Sequence, residues 1–155
     1  MSEPLWVNRR ALLLLHAESL AEFGGSPGMR DEGLFESALE RARTRWTYES
    51  ESSITELAAC YGFGISKNYA MLDGNERLAF LAIGVFLRAN GYRLAADRTE
   101  AVVVMEDVAA GRLDGRGLAA WIQTHVSRDQ LGEPSQAQPK QGRRIGSSRA
   151  RDLRK

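Results

Sequence analysis

The sequence predicts an all-α fold, a compact bundle of about six helices around a buried central helix. Three observations predict it. Apolar residues recur at three- and four-residue steps and almost nowhere alternate at strand spacing. Short polar residues that accept a backbone N–H stand immediately before each periodic stretch. One run, NERLAFLAIGVFLRAN from Asn75 to Asn90, is apolar nearly all round, as a helix packed on several sides must be.

Taken in order, Asn8 caps a first helix to about Phe23, with Leu12, Leu15 and Ser19 or Leu20 on one face, and Gly24-Gly25 ends it. The stretch GGSPGMR that follows is a loop by composition. Asp31 caps a second helix carrying Leu34, Ala38, Leu39 and Ala42, expected to end near Trp46. Ser53-Ile54-Thr55-Glu56 is a capping box and opens a third helix through about Lys67. After the connector 68–74 comes the central helix, whose Leu78, Leu81, Ala82, Val85 and Phe86 are expected in the core. Gly91 closes it, and Tyr92 to Ala95 form a short extended link. Asp97 caps a fifth helix closed by Gly111, and Asp114 a sixth through Val126.

A chain of 155 residues holds one ordinary domain with a proper core. Residues 1–131 carry 14 Lys or Arg against 18 Asp or Glu, a net of −4, and 132–155 carry 7 against 2, a net of +5. From Gly132 onward apolar residues give way to Pro, Gln, Ser, Gly and Arg, so 132–155 reads as a disordered basic tail. Without interleaved aromatics, weak phosphate contacts are the most such a tail offers to nucleic acid, and a plain solvated extension is the simpler reading. A single cysteine, Cys60, excludes an intrachain disulfide. Apolar runs are too short to span a bilayer and the first residues, MSEPLW, lack a signal pattern, so the expectation is a cytoplasmic protein with no membrane partner.

Chemistry concentrates at Tyr69-Ala70-Met71-Leu72-Asp73-Gly74-Asn75-Glu76-Arg77, a loop entering the central helix. The first turn of a helix offers unpaired N–H groups and the positive end of its dipole, a ready anion site. Gly74 permits close approach of a phosphate, Arg77 adds a guanidinium fork, and Asp73 is placed to hold a Mg²⁺ bridging phosphates. The plainer reading of the same string is a turn in which Asp73 and Asn75 cap the helix and Arg77 is solvated.

The stretch 61–94, YGFGISKNYAMLDGNERLAFLAIGVFLRANGYRL, resembles the core of the Doc (death on curing) branch of the Fic family, with its His-x-Phe-x-Asp/Asn-Gly/Ala-Asn-Lys-Arg pattern. Upstream, FGGSPGMRD followed by LFESAL is similar to the first third of the same family, so the likeness runs from about Leu5 to Val126. The resemblance implies a helical domain that binds Mg²⁺ and ATP, or another nucleoside triphosphate, and modifies a hydroxyl of a protein substrate. Fic proteins transfer a nucleotide monophosphate. Doc proteins transfer the terminal phosphate to a translation elongation factor and are neutralised by an antitoxin. By position, Asp73 is the implied metal ligand, Gly74, Asn75 and Glu76 lie along the implied phosphate loop, and Arg77 is the implied phosphate clamp. Tyr69, Asp73 and Arg77 form the implied catalytic set, and the GGSPGMR loop is implied on the protein-substrate side.

The motif departs from the family pattern at three points. Tyr69 stands where the family has the histidine that takes the proton from the target hydroxyl. Phenols ordinarily hold their proton to about pH 10 and imidazoles to about 6.5, so tyrosine is a poor base at neutral pH. Tyr69 is then an activated phenol, a covalent acceptor or a positioning hydroxyl. Glu76 stands where Doc has lysine, an anion in place of a cation. Ala70-Met71 replaces the usual pair before the turn, with Met71 as an adaptable plug. Loss of both His and Lys also fits an inactive relative that only binds a nucleotide or a protein. His16 and His125 lie outside the motif and read as packing or surface residues. Cys60 and Trp6, Trp46 and Trp121 read as core or helix-packing residues.

Overall fold

The computed structural model describes residues 2–129, so the expected tail at 132–155 lies outside the described residues. They form six helices: α1 (Arg9–Phe23), α2 (Glu32–Tyr48), α3 (Ile54–Asn68), α4 (Asn75–Ala89), α5 (Arg98–Ala109) and α6 (Gly115–His125). Two three-residue strands, β1 (Tyr92–Leu94) and β2 (Val126–Arg128), complete the described chain. The fold is all-α with this one small ribbon. No described helix is long and apolar enough to cross a membrane.

Helix starts follow the caps. The side chains of Asn8, Asp31, Ser53, Asp97 and Asp114 accept the N–H of Ala11, Leu34, Glu56, Glu100 and Gly117. Ser53 and Glu56 complete the capping box, each satisfying the other's backbone donor. Among the described helices only α4 lacks such a cap: its N-cap is Gly74. The ends shift slightly from expectation. α2 runs on to Tyr48, and α6 stops at His125 because Val126 joins β2. β2 pairs antiparallel with β1, Leu94 opposite Val126 and Tyr92 opposite Arg128, and this turns the expected extended link into a strand. A pairing across more than thirty residues leaves no periodicity in either segment.

The most enclosed helix is α3. It packs against α2, α4, α5 and α6, and Leu57, Ala58, Ala59, Cys60, Tyr61 and Ile65 are all buried. Its small residues explain why. A β-carbon at Gly62 would lie 2.5 Å from Ile83 Cδ1 and 3.0 Å from Leu118 Cδ2, so α4 and α6 close onto a space that only glycine leaves. Ile83 and Leu118 are fully buried and have little room to yield. Gly62→Ala is expected to destabilise the fold by about 1–3 kcal/mol through overpacking, read as a lower urea midpoint with an unchanged slope.

α4 is central but not covered all round. Leu78, Ala79, Ala82, Ile83, Phe86 and Leu87 are buried, while Leu81 and Val85, expected in the core, are only half-buried. Together with Phe80 they line an open groove beside β1, where no described element covers the helix. At its other face the N-terminal segment is pinned: Trp6 stacks on Phe86, Val7 N–H donates to the Tyr61 hydroxyl, and the Asn90 amide bonds both backbone groups of Leu5. Trp6, Trp46 and Trp121 pack half-buried against the core, and Cys60 lies within it as a free thiol whose pKa burial raises.

Candidate functional site

The connector between α3 and α4 is built by two conformational choices. Tyr69 caps α3 in the left-handed region at φ 51°, the one described residue other than glycine with positive φ. Gly74 caps the start of α4 at φ 77°, where an L side chain would be strained. Between them the chain closes on itself through Asn75. Its amide is fully buried, accepts the Met71 N–H at 3.0 Å and donates to the Met71 carbonyl at 3.1 Å. Asn75 therefore holds the loop with its side chain and leaves only backbone to a ligand.

The 24–30 loop lies directly on this connector. Met29 bridges Met71, Leu72 N–H donates to the Gly28 carbonyl, and the N–H groups of Arg30 and Asp31 both reach the Ala70 carbonyl. Ser26 N–H donates to Asp73 Oδ2 at 2.7 Å, which orients the carboxylate of an otherwise exposed residue. The Arg30 guanidinium donates to the Tyr69 carbonyl through Nε at 3.0 Å and Nη2 at 2.6 Å, and to the Asn68 carbonyl at 3.2 Å. These bonds satisfy carbonyls at the end of α3 and hold the left-handed backbone of Tyr69. Arg30→Ala is expected to cost about 1–2 kcal/mol, the net worth of hydrogen bonds from a charged donor, measurable by chemical denaturation.

The Tyr69 side chain is 46% exposed. At that exposure the residue lies at the surface and outside the core. Glu76 sits in the first turn of α4, where a carboxylate interacts favourably with the helix dipole and would repel an incoming anion. Arg77 turns toward α1 and stacks over the Phe23 ring, its Cζ 4.6 Å from the centroid, with Arg98 from α5 over the same ring at 5.2 Å. The two guanidiniums border a cleft of about 200 Å³ between α1, α4 and α5, which Glu18 and Glu22 also line. Asp73, Gly74, Asn75 and Glu76 are thus gathered at one helix start, and Arg77 lies beside it against α1.

His16 enters the site unannounced by any motif. Its imidazole is 6% exposed and lies beneath Gly74: a β-carbon there would be 3.2 Å from Cε1 and 3.7 Å from Nδ1. Burial lowers its pKa, so the ring is neutral at pH 7. Ser26 and Arg30 were marked only as part of the GGSPGMR loop, which the resemblance implied on the protein-substrate side, and Phe23 and Arg98 were unmarked as site residues. Nothing in their local sequence specifies their contacts with a turn that lies at least twenty residues away in the chain.

A helical domain whose central helix opens at a D-G-N-x-R turn, with a glycine-rich loop clamped across it, is a domain of the Fic type. The Fic/DOC family model matches residues 6–87, and the chain belongs to that family. It is similar to the protein kinase doc of Escherichia phage P1, 31% identical over 88 residues that cover 57% of this chain and 70% of that one. It is also similar to the toxin Doc of Mycolicibacterium smegmatis (strain ATCC 700084 / mc(2)155), 34% identical over 122 residues, 77% of this chain and 93% of that protein.

Proposed function

We propose that this chain is a Doc-type toxin, the partner of an antitoxin, which transfers a phosphoryl or nucleotidyl group from a nucleoside triphosphate to a hydroxyl of a protein substrate such as a translation factor. One observation carries the reading. The turn keeps an anchored aspartate beside a helix start that has a glycine N-cap and no side-chain cap bond, the parts a phosphate and its cation need. The relatives named a kinase and a toxin support it.

The donor set fits Mg²⁺ of one particular kind. Among the described residues no group of three acidic, histidine or cysteine side chains could cage a metal. Asp73 offers one carboxylate, with Oδ2 taken up by Ser26. That suits an ion held mainly by substrate phosphates and water, which Mg²⁺ prefers. When bound, it neutralises charge on the transferring phosphate.

This chain's residues do the rest. Backbone N–H groups at the start of α4 would meet the phosphates, and Arg77 would offer charge from the α1 side. By its place in the motif, the exposed Tyr69 falls where the family's base takes the proton of the target hydroxyl as that oxygen bonds phosphorus and the P–O bond to the leaving group breaks, releasing nucleoside diphosphate in phosphoryl transfer or pyrophosphate in nucleotidyl transfer. Three roles are open to it: base, covalent acceptor, or hydrogen-bonding guide. Incubation with labelled ATP, GTP, CTP or UTP and Mg²⁺ tests the reading. Label on cell proteins or on Tyr69 supports it, and no label with any nucleotide ends it.

A second reading, a catalytically inactive Fic-fold protein that binds a nucleotide or a protein, is favoured by Tyr69 and Glu76 together. Calorimetric binding without transfer is its signature. Under either reading, Glu76→Lys is expected to tighten Mg²⁺-nucleotide binding about three- to tenfold at low salt, with the gain shrinking as salt screens it. Titration calorimetry at two ionic strengths checks this.

A further inference from the structure

In an antiparallel pair, residues alternate between those bonded to the partner strand and those whose backbone groups point away from it. The Gly91 carbonyl accepts the Asp129 N–H, Ala95 N–H donates to the His125 carbonyl, and Arg93 lies opposite Ser127. Tyr92 and Leu94 therefore turn their N–H and C=O groups away from β2, and these four groups have no hydrogen-bond partner among the described residues. Their side chains are half-buried and pack against the core, while Arg93 between them is exposed and pairs with no carboxylate among the described residues. The groove of about 510 Å³ beside α4 is lined by β1 and not by β2, which sets it along this open edge. Its helix wall, Phe80, Leu81, Gly84 and Val85, is apolar. Gly84 is out of place by local rules, because glycine inside a helix is destabilising relative to alanine. The other glycines within described helices each have a neighbour within 4 Å of where a β-carbon would lie, and Gly84 has none. Nothing in the described chain uses the space it leaves.

We propose that this groove binds an extended segment of another protein, added as a strand to the free edge of β1, with apolar residues at alternate positions and an acidic residue between them. The surface specifies that chemistry. Two outward N–H and two outward C=O groups call for a strand, which supplies the complementary acceptors and donors. Neighbouring strands share faces, so side chains beside Tyr92 and Leu94 lie on the core side and reach Phe80, Leu81 and Val85, where Gly84 leaves room for them. The side chain between those two lies beside Arg93 on the outer face. No acidic residue lines the groove, and Arg88 at its end is already paired with Asp129 at 2.9 Å. An aspartate or glutamate in the middle position is therefore matched, and a lysine is repelled. None of the residues of the Gly74 turn lines the groove, so the inference stands apart from the phosphate reading.

The test uses the full chain and three synthetic peptides. The first is Thr-Val-Glu-Val-Glu-Val-Thr, the second has Lys in place of Glu, and the third is the first with its backbone N–H groups methylated. Titration calorimetry measures affinity, and amide shifts and hydrogen exchange at Tyr92 and Leu94 locate the binding. The Glu peptide is expected to shift and protect both amides. The Lys peptide should bind about three- to tenfold more weakly, the worth of a reversed cross-strand charge pair, and the methylated peptide should not bind. Arg93→Glu should invert the order of the two charged peptides. Gly84→Leu should melt at the same or a higher temperature, because glycine leaves a helix, yet bind the Glu peptide about tenfold or more weakly, because its side chain occupies the groove. A Glu peptide that leaves both amides unmoved at about 1 mM, or that binds wild type and Gly84→Leu equally, overturns the proposal. So do equal affinities for the Glu and Lys peptides. Tyr92 and Leu94 amides already protected in the free chain, or a dimer that Gly84→Leu disperses, also overturn it, since the edge then belongs to the chain itself or to a second copy.

Discussion

Tyr69→His is expected to raise the rate of transfer from Mg²⁺-nucleotide to protein by about 10²–10⁴-fold, the usual contribution of a positioned general base. Two arguments converge on this residue. Chemically, imidazole is half-protonated near neutral pH and phenol is not, so only the former both takes and releases the hydroxyl proton readily. Conformationally, Tyr69 occupies the left-handed region, which histidine visits more readily than most residues. Arg30 holds this position through its carbonyl and not through the phenol, so the substitution leaves the anchor intact. The half-exposed side chain also leaves room for the smaller ring. Labelling of cell-extract proteins by wild type, Tyr69→His and Tyr69→Phe measures the effect. A Tyr69→His rate equal to wild type would remove the missing base as the reason for altered chemistry and leave Glu76 as the cause. Wild-type activity that vanishes in Tyr69→Phe assigns the phenol a direct part.

Asp73→Asn is expected to weaken Mg²⁺-dependent nucleotide binding on the order of a hundredfold, since a hard cation loses the carboxylate assigned to hold it. The asparagine is chosen because it keeps an oxygen for Ser26 N–H. The loop contact at 2.7 Å therefore survives, and stability should move by less than about 0.5 kcal/mol. Calorimetry with and without Mg²⁺ separates the effects. Metal-dependent binding should collapse, while binding of nucleotide in excess chelator should stay level or improve slightly as one negative charge disappears. Equal affinities for wild type and Asp73→Asn in Mg²⁺ would contradict the role of Asp73 as metal ligand.

The helices were legible because their signals are local. A cap acts on an N–H two or three residues away, and an amphipathic stripe repeats every turn. Asn8, Asp31, Ser53, Asp97 and Asp114 could each be read one at a time, and the structure places each at a helix start. The enclosure of α3 was less legible. Burial there depends on Gly62 and on Ala58 and Ala59 letting neighbours approach, and small residues look unremarkable in an apolar pattern. Leu81 and Val85 erred the other way: an apolar position predicts contact only if some element arrives to make it.

The candidate site divides along the same line. The order Asp73-Gly74-Asn75 at a helix start, the tyrosine at 69 and the glutamate at 76 were visible in the chain itself, along with the family it resembles. Such residues are neighbours in sequence and share one turn. Tertiary structure alone decided that Asn75 spends its side chain on Met71, that Ser26 orients Asp73, that Arg30 holds Tyr69, that Arg77 leans on Phe23, and that His16 lies under Gly74. Each joins positions whose meeting depends on how α1 and the 24–30 loop pack against α4, a geometry set by the whole core and encoded by no single segment.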